Sequence, residues 1–233
     1  MFDHVTIRVS DYSASRRFYT EALGLPTHDG DYVEWGDFGI TPGDDPTRNL
    51  HVAFGTVDRD AVDAWWNRLT EAGYESDGEP GPRPQYSKTY YGAFVLDPDG
   101  NSIEAVHHER ARPREIDHVW LRTRDLAASR AFYATVAPVV GIELVHDADD
   151  RVSWSDGVGS FTFVPGDEPT HNVHLAFAVG DGAAVASFHD AATAAGYRDN
   201  GAPGERAEYH PGYHAAFVLD PDSHNVEAVF HDR

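Results

Sequence analysis

The 233-residue chain contains no cysteine and few basic residues. Without cysteine it has neither disulfides nor thiolate metal ligands, which leaves histidine and carboxylate side chains as its strong metal donors. Its 18 Lys and Arg residues stand against 39 Asp and Glu residues, a net charge of −21. Because a nucleic-acid partner requires a basic surface, this balance argues against nucleic-acid binding.

Long apolar runs are also missing. Although 41% of the residues are hydrophobic, no apolar run approaches the roughly 18 residues that would indicate a membrane-spanning helix. The opening residues Met1-Phe2-Asp3-His4 lack the basic and apolar regions of a signal peptide, so we expect a cytoplasmic protein. The sequence therefore predicts a globular chain with no membrane partner.

An internal repeat organises the chain. Residues 90–106 return at 213–229 with an offset of 123, whereas Asp3-His4-Val5 returns at 117–119 with an offset of 114. The difference, 123 − 114 = 9, places about nine additional residues in the second copy, within 135–170. A repeat over nearly the whole length predicts two similar structural parts.

The repeat also predicts domain boundaries. We expect one domain at 1–110 and another at 116–233, each large enough for its own core. The charged, proline-containing segment 111–115 is the predicted linker.

Each copy is predicted to contain a strand, a helix and further strands, followed by a second set of elements in the same order. In the first copy, residues of alternating polarity predict strands and apolar residues at helical spacing predict helices. The predicted strands are 4–9, 32–35, 38–40, 49–56, 90–96 and 102–107, and the predicted helices are 11–23 and 61–72. The Gly- and Pro-rich segment 78–84 predicts a loop.

Six residues at equivalent positions of the two copies are candidate metal ligands. They are His4, His51, Glu104, His118, His174 and Glu227. Two imidazoles and one carboxylate per copy suit a divalent transition metal with open coordination positions. Glu104 and Glu227 lie in apolar segments, where an unpaired carboxylate would be costly to bury. We therefore predict a divalent metal cofactor of the Fe, Mn, Ni or Zn class.

Polar residues before the last turn of each copy are candidate catalytic residues: Tyr86, Tyr90, Tyr209, His210 and Tyr213. A hydroxyl or imidazole beside an open metal position could orient a substrate or move a proton. The tyrosines could instead only cover a cavity mouth. His210 is replaced by Ser87 in the first copy, which favours the second site for catalysis. His107, His108 and His231 lie near the copy ends, where we expect exposed side chains.

These motifs resemble the vicinal oxygen chelate superfamily, which includes glyoxalase I, bleomycin-resistance proteins and extradiol dioxygenases. The resemblance rests on the Asp3-His4-Val5 opening, the helix with Phe18-Tyr19, the His51 strand and the turn at 96–101 before Glu104. It covers almost the whole of both copies. It implies an α+β fold, a tandem repeat of paired βαβββ modules that enclose a metal-bearing cavity.

The resemblance leaves two ways to assemble the ligands, because relatives differ in which copy the first histidine serves. Local sets would be His4/His51/Glu104 and His118/His174/Glu227. Exchanged sets would be His4/His174/Glu227 and His118/His51/Glu104.

The resemblance implies a divalent-metal-dependent enzyme of the lyase, isomerase or dioxygenase class. Such an enzyme would bind a small molecule through two neighbouring oxygens. The alternative is a small-molecule sequestering protein without catalysis, as bleomycin-resistance relatives are. We expect a small-molecule partner and a monomer or homodimer.

Departures from the family patterns disfavour two reactions. Glyoxalase I uses a fourth ligand, a Glu, where this chain has no carboxylate at 38–41 or 161–164. Extradiol dioxygenases place a Tyr ten residues before the Glu ligand, and Phe94 and Phe217 stand there.

Overall fold

The computed structural model describes residues 1–30 and 32–232. It confirms the α+β class, with four helices and two eight-stranded sheets in the described part of the chain. The elements up to residue 110 are β1 (Phe2–Val9), α1 (Tyr12–Leu23), β2 (His28–Asp29), β3 (Val33–Trp35), β4 (Phe38–Pro42), β5 (Leu50–Gly55), α2 (Arg59–Glu71), β6 (Ser76–Pro82), β7 (Tyr91–Leu96) and β8 (Ser102–His107).

The later elements repeat this order. They are β9 (Ile116–Thr123), α3 (Leu126–Val140), β10 (Glu143–Asp147), β11 (Val152–Ser155), β12 (Ser160–Pro165), β13 (Val173–Ala178), α4 (Gly182–Ala194), β14 (Arg198–Glu205), β15 (Tyr213–Leu219) and β16 (Asn225–His231). Each copy thus contains two βαβββ modules, as expected. Neither α1 nor any other helix among these elements has the length and apolarity to cross a membrane.

The chain divides into two compact units. The Glu104 unit contains Thr6–Leu121, and the Glu227 unit contains Met1–Val5 with Arg122–Arg233. The boundaries fall inside β1 and β9, so the first residues of β1 group with the second copy. The division into domains at 1–110 and 116–233 stays a prediction, and its last residue, Arg233, lies outside the described residues.

The Glu104 unit is built around the strand order β9-β5-β8-β7-β6. β5 pairs with β8 in parallel, whereas β9, β7 and β6 run antiparallel to their neighbours. Helix α2 packs on β7 and β8 through its buried side chains Val62, Trp65 and Leu69. This apolar face fixes one side of the strands that carry the candidate ligands.

The Glu227 unit repeats this arrangement with the order β13-β16-β15-β14. β13 is parallel to β16, and β15 is antiparallel to both β16 and β14. Helix α4 buries Val185, Phe188 and Ala192 and packs on β15 and β16.

All four helices begin at an aspartate. The caps are Asp11, Asp58, Asp125 and Asp181, and each side chain accepts a hydrogen bond from the backbone N–H three residues later. Replacing such a cap by alanine costs about 1 kcal/mol of helix stability. The helices that pack behind the candidate ligand strands are therefore fixed locally at their first turns.

The prediction of a loop at 78–84 is wrong for most of that segment. Residues Ser76–Pro82 form β6, which pairs antiparallel with β7 through an irregular register. Because β6 is an edge strand, proline residues without an N–H remain compatible with pairing on its single bonded side. The Gly and Pro content that predicted a loop instead marks a bulged edge strand.

Candidate metal sites

The Glu104 unit brings three candidate ligands together on adjacent strands. Glu104 on β8 lies opposite Ala53 on β5, which in turn lies opposite His118 on β9. His51 is two residues before Ala53 and therefore projects from the same face of the sheet. The small Ala53 side chain leaves the space above the sheet to the three ligands.

The donor atoms of this Glu104 triad (His51, Glu104, His118) lie within hydrogen-bonding range. Oε2 of Glu104 lies 3.1 Å from Nε2 of His51 and 3.5 Å from Nε2 of His118. The two Nε2 atoms are 3.2 Å apart. All three side chains therefore face one point.

The Glu227 unit repeats this geometry in the Glu227 triad (His4, His174, Glu227). Oε2 of Glu227 lies 2.8 Å from Nε2 of His174 and 3.7 Å from Nε2 of His4. The two Nε2 atoms are 3.0 Å apart. Ala176 lies opposite Glu227 and takes the place that Ala53 has in the other unit.

The ligand sets brought together are the exchanged ones. In the portion of the chain described, His4/His174/Glu227 and His51/Glu104/His118 are the two clusters of three metal-binding side chains with mutually close donor atoms. Each cluster belongs to one compact unit, because residues 1–5 group with the second copy. The first histidine of each copy thus lies with candidate ligands of the other copy.

A tyrosine fixes each glutamate. Glu104 and Glu227 are each only 1% exposed, and their Oε1 atoms accept hydrogen bonds from the hydroxyls of Tyr90 (2.8 Å) and Tyr213 (2.7 Å). Burial and the neighbouring carboxylate raise the pKa of each tyrosine, so both hydroxyls keep their protons. The other oxygen, Oε2, remains directed at the histidines.

The Glu104 triad sets a buried carboxylate against a positively charged imidazole. Burial would raise the pKa of Glu104, but hydrogen bonds with His118 and His51 outweigh it and lower that pKa. Burial would likewise lower the pKa of His118, but Asp117 and Glu104 raise it to about 9. A buried carboxylate is thus kept ionised by the positive charge that faces it.

An aspartate orients the first histidine of each triad. Oδ1 of Asp117 lies 2.8 Å from Nδ1 of His118, and Oδ1 of Asp3 lies 2.9 Å from Nδ1 of His4. A carboxylate only accepts hydrogen bonds, so Nδ1 keeps its proton, and in the neutral ring Nε2 presents its lone pair to the triad. This is the tautomer that a metal ligand requires.

The outer partners of the other two histidines differ between the units. Nδ1 of His51 lies 3.3 Å from the hydroxyl of Ser102, which donates to Asp77. Nδ1 of His174 instead lies 2.8 Å from the side-chain amide of Asn225. Only the Glu104 triad therefore has a carboxylate behind its second histidine, among the contacts described.

His107, His108 and His231 are half-buried rather than exposed, which corrects the expectation for all three residues. Nε2 of His108 lies 2.7 Å from Oδ2 of Asp117, and Nε2 of His231 lies 2.9 Å from Oδ2 of Asp3. Each is thus the second histidine on the aspartate behind a triad. His108 and His231 occupy equivalent positions of the two copies, separated by the repeat offset of 123. This equivalence was the signal in the sequence that could have marked them as site residues.

The remaining candidate residues surround these sites. Tyr86 and Tyr209 are 54% and 58% exposed, and each ring centroid lies 5.0 Å from that of Tyr90 or Tyr213. His210 is half-buried, and its ring centroid lies 5.3 Å from that of Tyr213. A catalytic role for these five residues stays a prediction.

The turn before each glutamate is built by a buried aspartate. Oδ1 of Asp97 accepts hydrogen bonds from the N–H groups of Asp99 and Asn101, and Oδ2 accepts one from the Tyr19 hydroxyl at 2.8 Å. This network ties α1 to the start of β8. The repeated turn motif therefore positions the Glu104 strand.

Comparison with known proteins gives a consistent result. A family model described as the glyoxalase/bleomycin resistance protein/dioxygenase superfamily matches residues 1–105 and again 115–228. A Vibrio parahaemolyticus protein named "Probable lactoylglutathione lyase" is 31% identical over 130 residues, covering 46% of this chain and 91% of that protein.

Solved structures agree in fold. Glyoxalase I from Zea mays aligns with a TM-score of 0.69 at 22% identity, covering 99% of this chain and 92% of that one. A Bacillus subtilis protein described as a "putative dioxygenase" aligns with a TM-score of 0.71 at 15% identity, covering 100% and 85%. At these identities the two structures are evidence for the fold alone.

Proposed function

Because the chain belongs to the glyoxalase/bleomycin resistance protein/dioxygenase superfamily, we propose that it is a divalent-metal-dependent enzyme acting on a small molecule. The substrate would bind through two neighbouring oxygen atoms. The observation that carries the proposal is the convergence of two imidazoles and one buried carboxylate in each unit. Sequestering proteins without catalysis have no need for two such sets.

The residues present fit a divalent metal. Each triad offers two nitrogen donors and one carboxylate oxygen, the set typical of Fe, Mn, Ni or Zn sites with open positions. The outer contacts fit as well, because Asp3 and Asp117 accept from the first histidines and the tyrosines hold the glutamates. His4, His174 and Glu227 would hold one ion, and His51, Glu104 and His118 the other.

A bound divalent ion would supply Lewis acidity toward substrate oxygens. The protein's own residues would restrict how the substrate lies. Phe94 pairs with Glu104 across the strands, and its ring centroid lies 5.7 Å from that of His51. This side of the site is therefore apolar, and Tyr86, whose ring lies beside that of Tyr90, offers an exposed hydroxyl for orienting a substrate.

The Vibrio relative is named "Probable lactoylglutathione lyase". We do not propose that activity for this chain. The segments that would provide a fourth carboxylate lie in β4 and β12, where Phe38-Gly39-Ile40-Thr41 and Phe161-Thr162-Phe163-Val164 stand. Without that carboxylate, each site would keep more open positions for substrate. A three-ligand site also suits lyase or oxygenase reactions on bidentate oxygen substrates.

The test is elemental analysis by plasma mass spectrometry on untagged protein dialysed without chelator, followed by a substrate screen chosen by the metal found. We expect about two equivalents per chain and turnover of a hydroxy-carbonyl or catechol-type compound that is lost in Glu227→Gln and Glu104→Gln variants. A protein that takes up no added metal and binds a small molecule without changing it would instead be a sequestering protein.

A further inference from the structure

The Glu227 unit contains a second pair of facing imidazoles outside the Glu227 triad. His210 lies between β14 and β15, and His231 is the last residue of β16. Nε2 of His210 lies 3.0 Å from Nδ1 of His231. Two imidazole lone pairs at this distance repel each other. The two nitrogens are therefore bridged either by a proton in a hydrogen bond or by a metal ion.

The partners of the other two ring nitrogens determine the tautomers. Nδ1 of His210 lies 2.8 Å from the carbonyl oxygen of Pro211, and Nε2 of His231 lies 2.9 Å from Oδ2 of Asp3. A carbonyl and a carboxylate only accept hydrogen bonds, so these two nitrogens carry the ring protons. In the neutral rings, the two facing nitrogens therefore both present lone pairs.

We propose that His210 and His231 bind a divalent transition metal ion at an accessory site in the Glu227 unit. The ion would belong to the class that prefers imidazole, such as Zn²⁺, Ni²⁺ or Cu²⁺. The outer contacts are those of metal-ligating histidines, which usually donate their second N–H to a carboxylate or a backbone carbonyl. Water would complete the coordination, so this site fills after the three-ligand triads.

The nitrogen separation supports the assignment. Two donors about 2.0–2.1 Å from one ion lie roughly 2.9 Å apart at right angles, as in tetragonal Ni²⁺ or Cu²⁺ sites, and roughly 3.3 Å apart at the tetrahedral angle of Zn²⁺. The 3.0 Å between His210 and His231 lies within this range and equals the separation of the Nε2 atoms of His4 and His174. The accessory pair is therefore spaced like the pair within a candidate triad.

The Glu104 unit has no such pair among its described residues. His108 is the equivalent of His231, and its Nε2 likewise faces Asp117. Its Nδ1, however, accepts a hydrogen bond of 3.2 Å from the backbone N–H of Arg110, and Ser87 stands where His210 would be. Both nitrogens of His108 are thus satisfied without a metal, so the proposal predicts one accessory site per chain.

Asp3 connects the accessory site to the Glu227 triad. Its Oδ2 contacts His231, and its Oδ1 contacts Nδ1 of His4. The Asp3 carboxylate would therefore link His231, a ligand of the accessory ion, to His4 of the Glu227 triad. This site is additional to the proposed function and does not depend on it.

The test is a calorimetric Zn²⁺ titration of the full chain after chelator treatment and removal of the chelator. Two triads and one accessory pair predict about three equivalents, the last being the weakest. His210→Ser introduces the residue of the equivalent position and should abolish the weakest class. His189→Ser is the matched control, because His189 lies beside Asp199 in the same unit and should retain all three classes.

Two further variants make the result decisive. His174→Ala should lose one tight equivalent and keep the weak one, which separates the accessory site from the triads. His231→Asn should reproduce the loss seen in His210→Ser, so the test survives if one variant misfolds by near-ultraviolet circular dichroism. A weak class that persists in folded His210→Ser protein would overturn the proposal. So would a wild-type chain that takes up only the two tight equivalents, since the imidazoles would then share a proton.

Discussion

The hydroxyl of Tyr213 donates a 2.7 Å hydrogen bond to Oε1 of Glu227, and this contact directs the other carboxylate oxygen toward His174. Tyr90 makes the equivalent contact with Glu104 at 2.8 Å. Both glutamates are buried within apolar strands, so a lost hydrogen bond has no water to replace it. The tyrosines are therefore positioning residues for the candidate metal ligands.

Tyr213→Phe is expected to weaken metal binding at the Glu227 triad by about 10–100-fold, the usual cost of removing an outer partner of a ligand. Tyr90→Phe should do the same at the Glu104 triad. Competition with a chromophoric chelator measures both affinities. Tyr91→Phe is the matched control, because the Tyr91 hydroxyl donates to Asp63 rather than to a triad. Equal affinities in all three variants would contradict the positioning role.

The exchanged ligand sets predict a specific pattern in double variants. If His4 shares a site with Glu227, then His4→Ala/Glu227→Ala loses the same tight equivalent that either single variant loses. His4→Ala combined with Glu104→Ala should instead lose both tight equivalents. Plasma mass spectrometry on dialysed protein gives the counts. The reverse pattern would mean that each copy assembles its ligands locally.

Gly92 allows the Glu104 carboxylate to approach β7. A Cβ atom at this position would overlap Oε1 of Glu104. We expect Gly92→Ala to fold, since Ala215 occupies the equivalent position in the Glu227 unit, but to displace the Glu104 carboxylate from the position it now holds. Metal affinity at the Glu104 triad should then fall about tenfold, within the range for a lost outer contact.

The measurement for Gly92→Ala is the same chelator competition. Ala215→Gly serves as its control in the other unit, where removing a methyl creates no overlap and should leave the affinity of the Glu227 triad unchanged. An unchanged Glu104 triad in Gly92→Ala would show that the sheet absorbs the methyl without moving the carboxylate.

Local patterns in the sequence were sufficient to predict most of the fold. Helices α1 and α2 follow from apolar residues at helical spacing, and β8 follows from an apolar run after a turn. β6 was missed because its pairing with β7 is a long-range contact, whereas its glycines and prolines favour a loop locally. The repeat identified all six candidate ligands because both copies carry them.

The arrangement of the sites was harder to predict. The choice between local and exchanged ligands depends on which strand β1 lies beside, and neither composition nor periodicity contains that information. His108 was expected to be exposed because it lies near the end of its copy, but the Asp117 carboxylate that accepts from it lies on β9. Partners contributed by a distant strand cannot be inferred from local spacing.

His224 predicts a pH dependence of stability. It replaces Asn101 of the first copy in the turn before the glutamate strand and is fully buried. Its Nδ1 accepts from the N–H of Val173 at 3.4 Å, while its Nε2 has no hydrogen-bond partner among the described residues. Burial lowers its pKa to about 4, although Asp222 opposes the shift.

The direction of this pH dependence follows from the number of protons bound at His224 in the folded and unfolded chain. Between about pH 6.5 and pH 4 the unfolded chain binds a proton at this histidine and the folded chain does not, so acid favours unfolding. The shift of 6.5 − 4 = 2.5 units corresponds to about 3 kcal/mol, lost progressively as the pH falls through this window. This contribution is fully present above pH 6.5.

His224→Asn is therefore expected to remove this part of the acid sensitivity. The equivalent Asn101 accepts from the N–H of Leu50 and donates to Asp97 and to the Thr47 carbonyl, so an amide suits the position. Urea unfolding at pH 7, 5.5 and 4.5 should show a smaller decline in the variant than in the wild type. His189→Asn, which removes a histidine near the surface, should decline like the wild type. Parallel declines in all three proteins would mean that His224 takes up its proton equally well in the folded and unfolded chain.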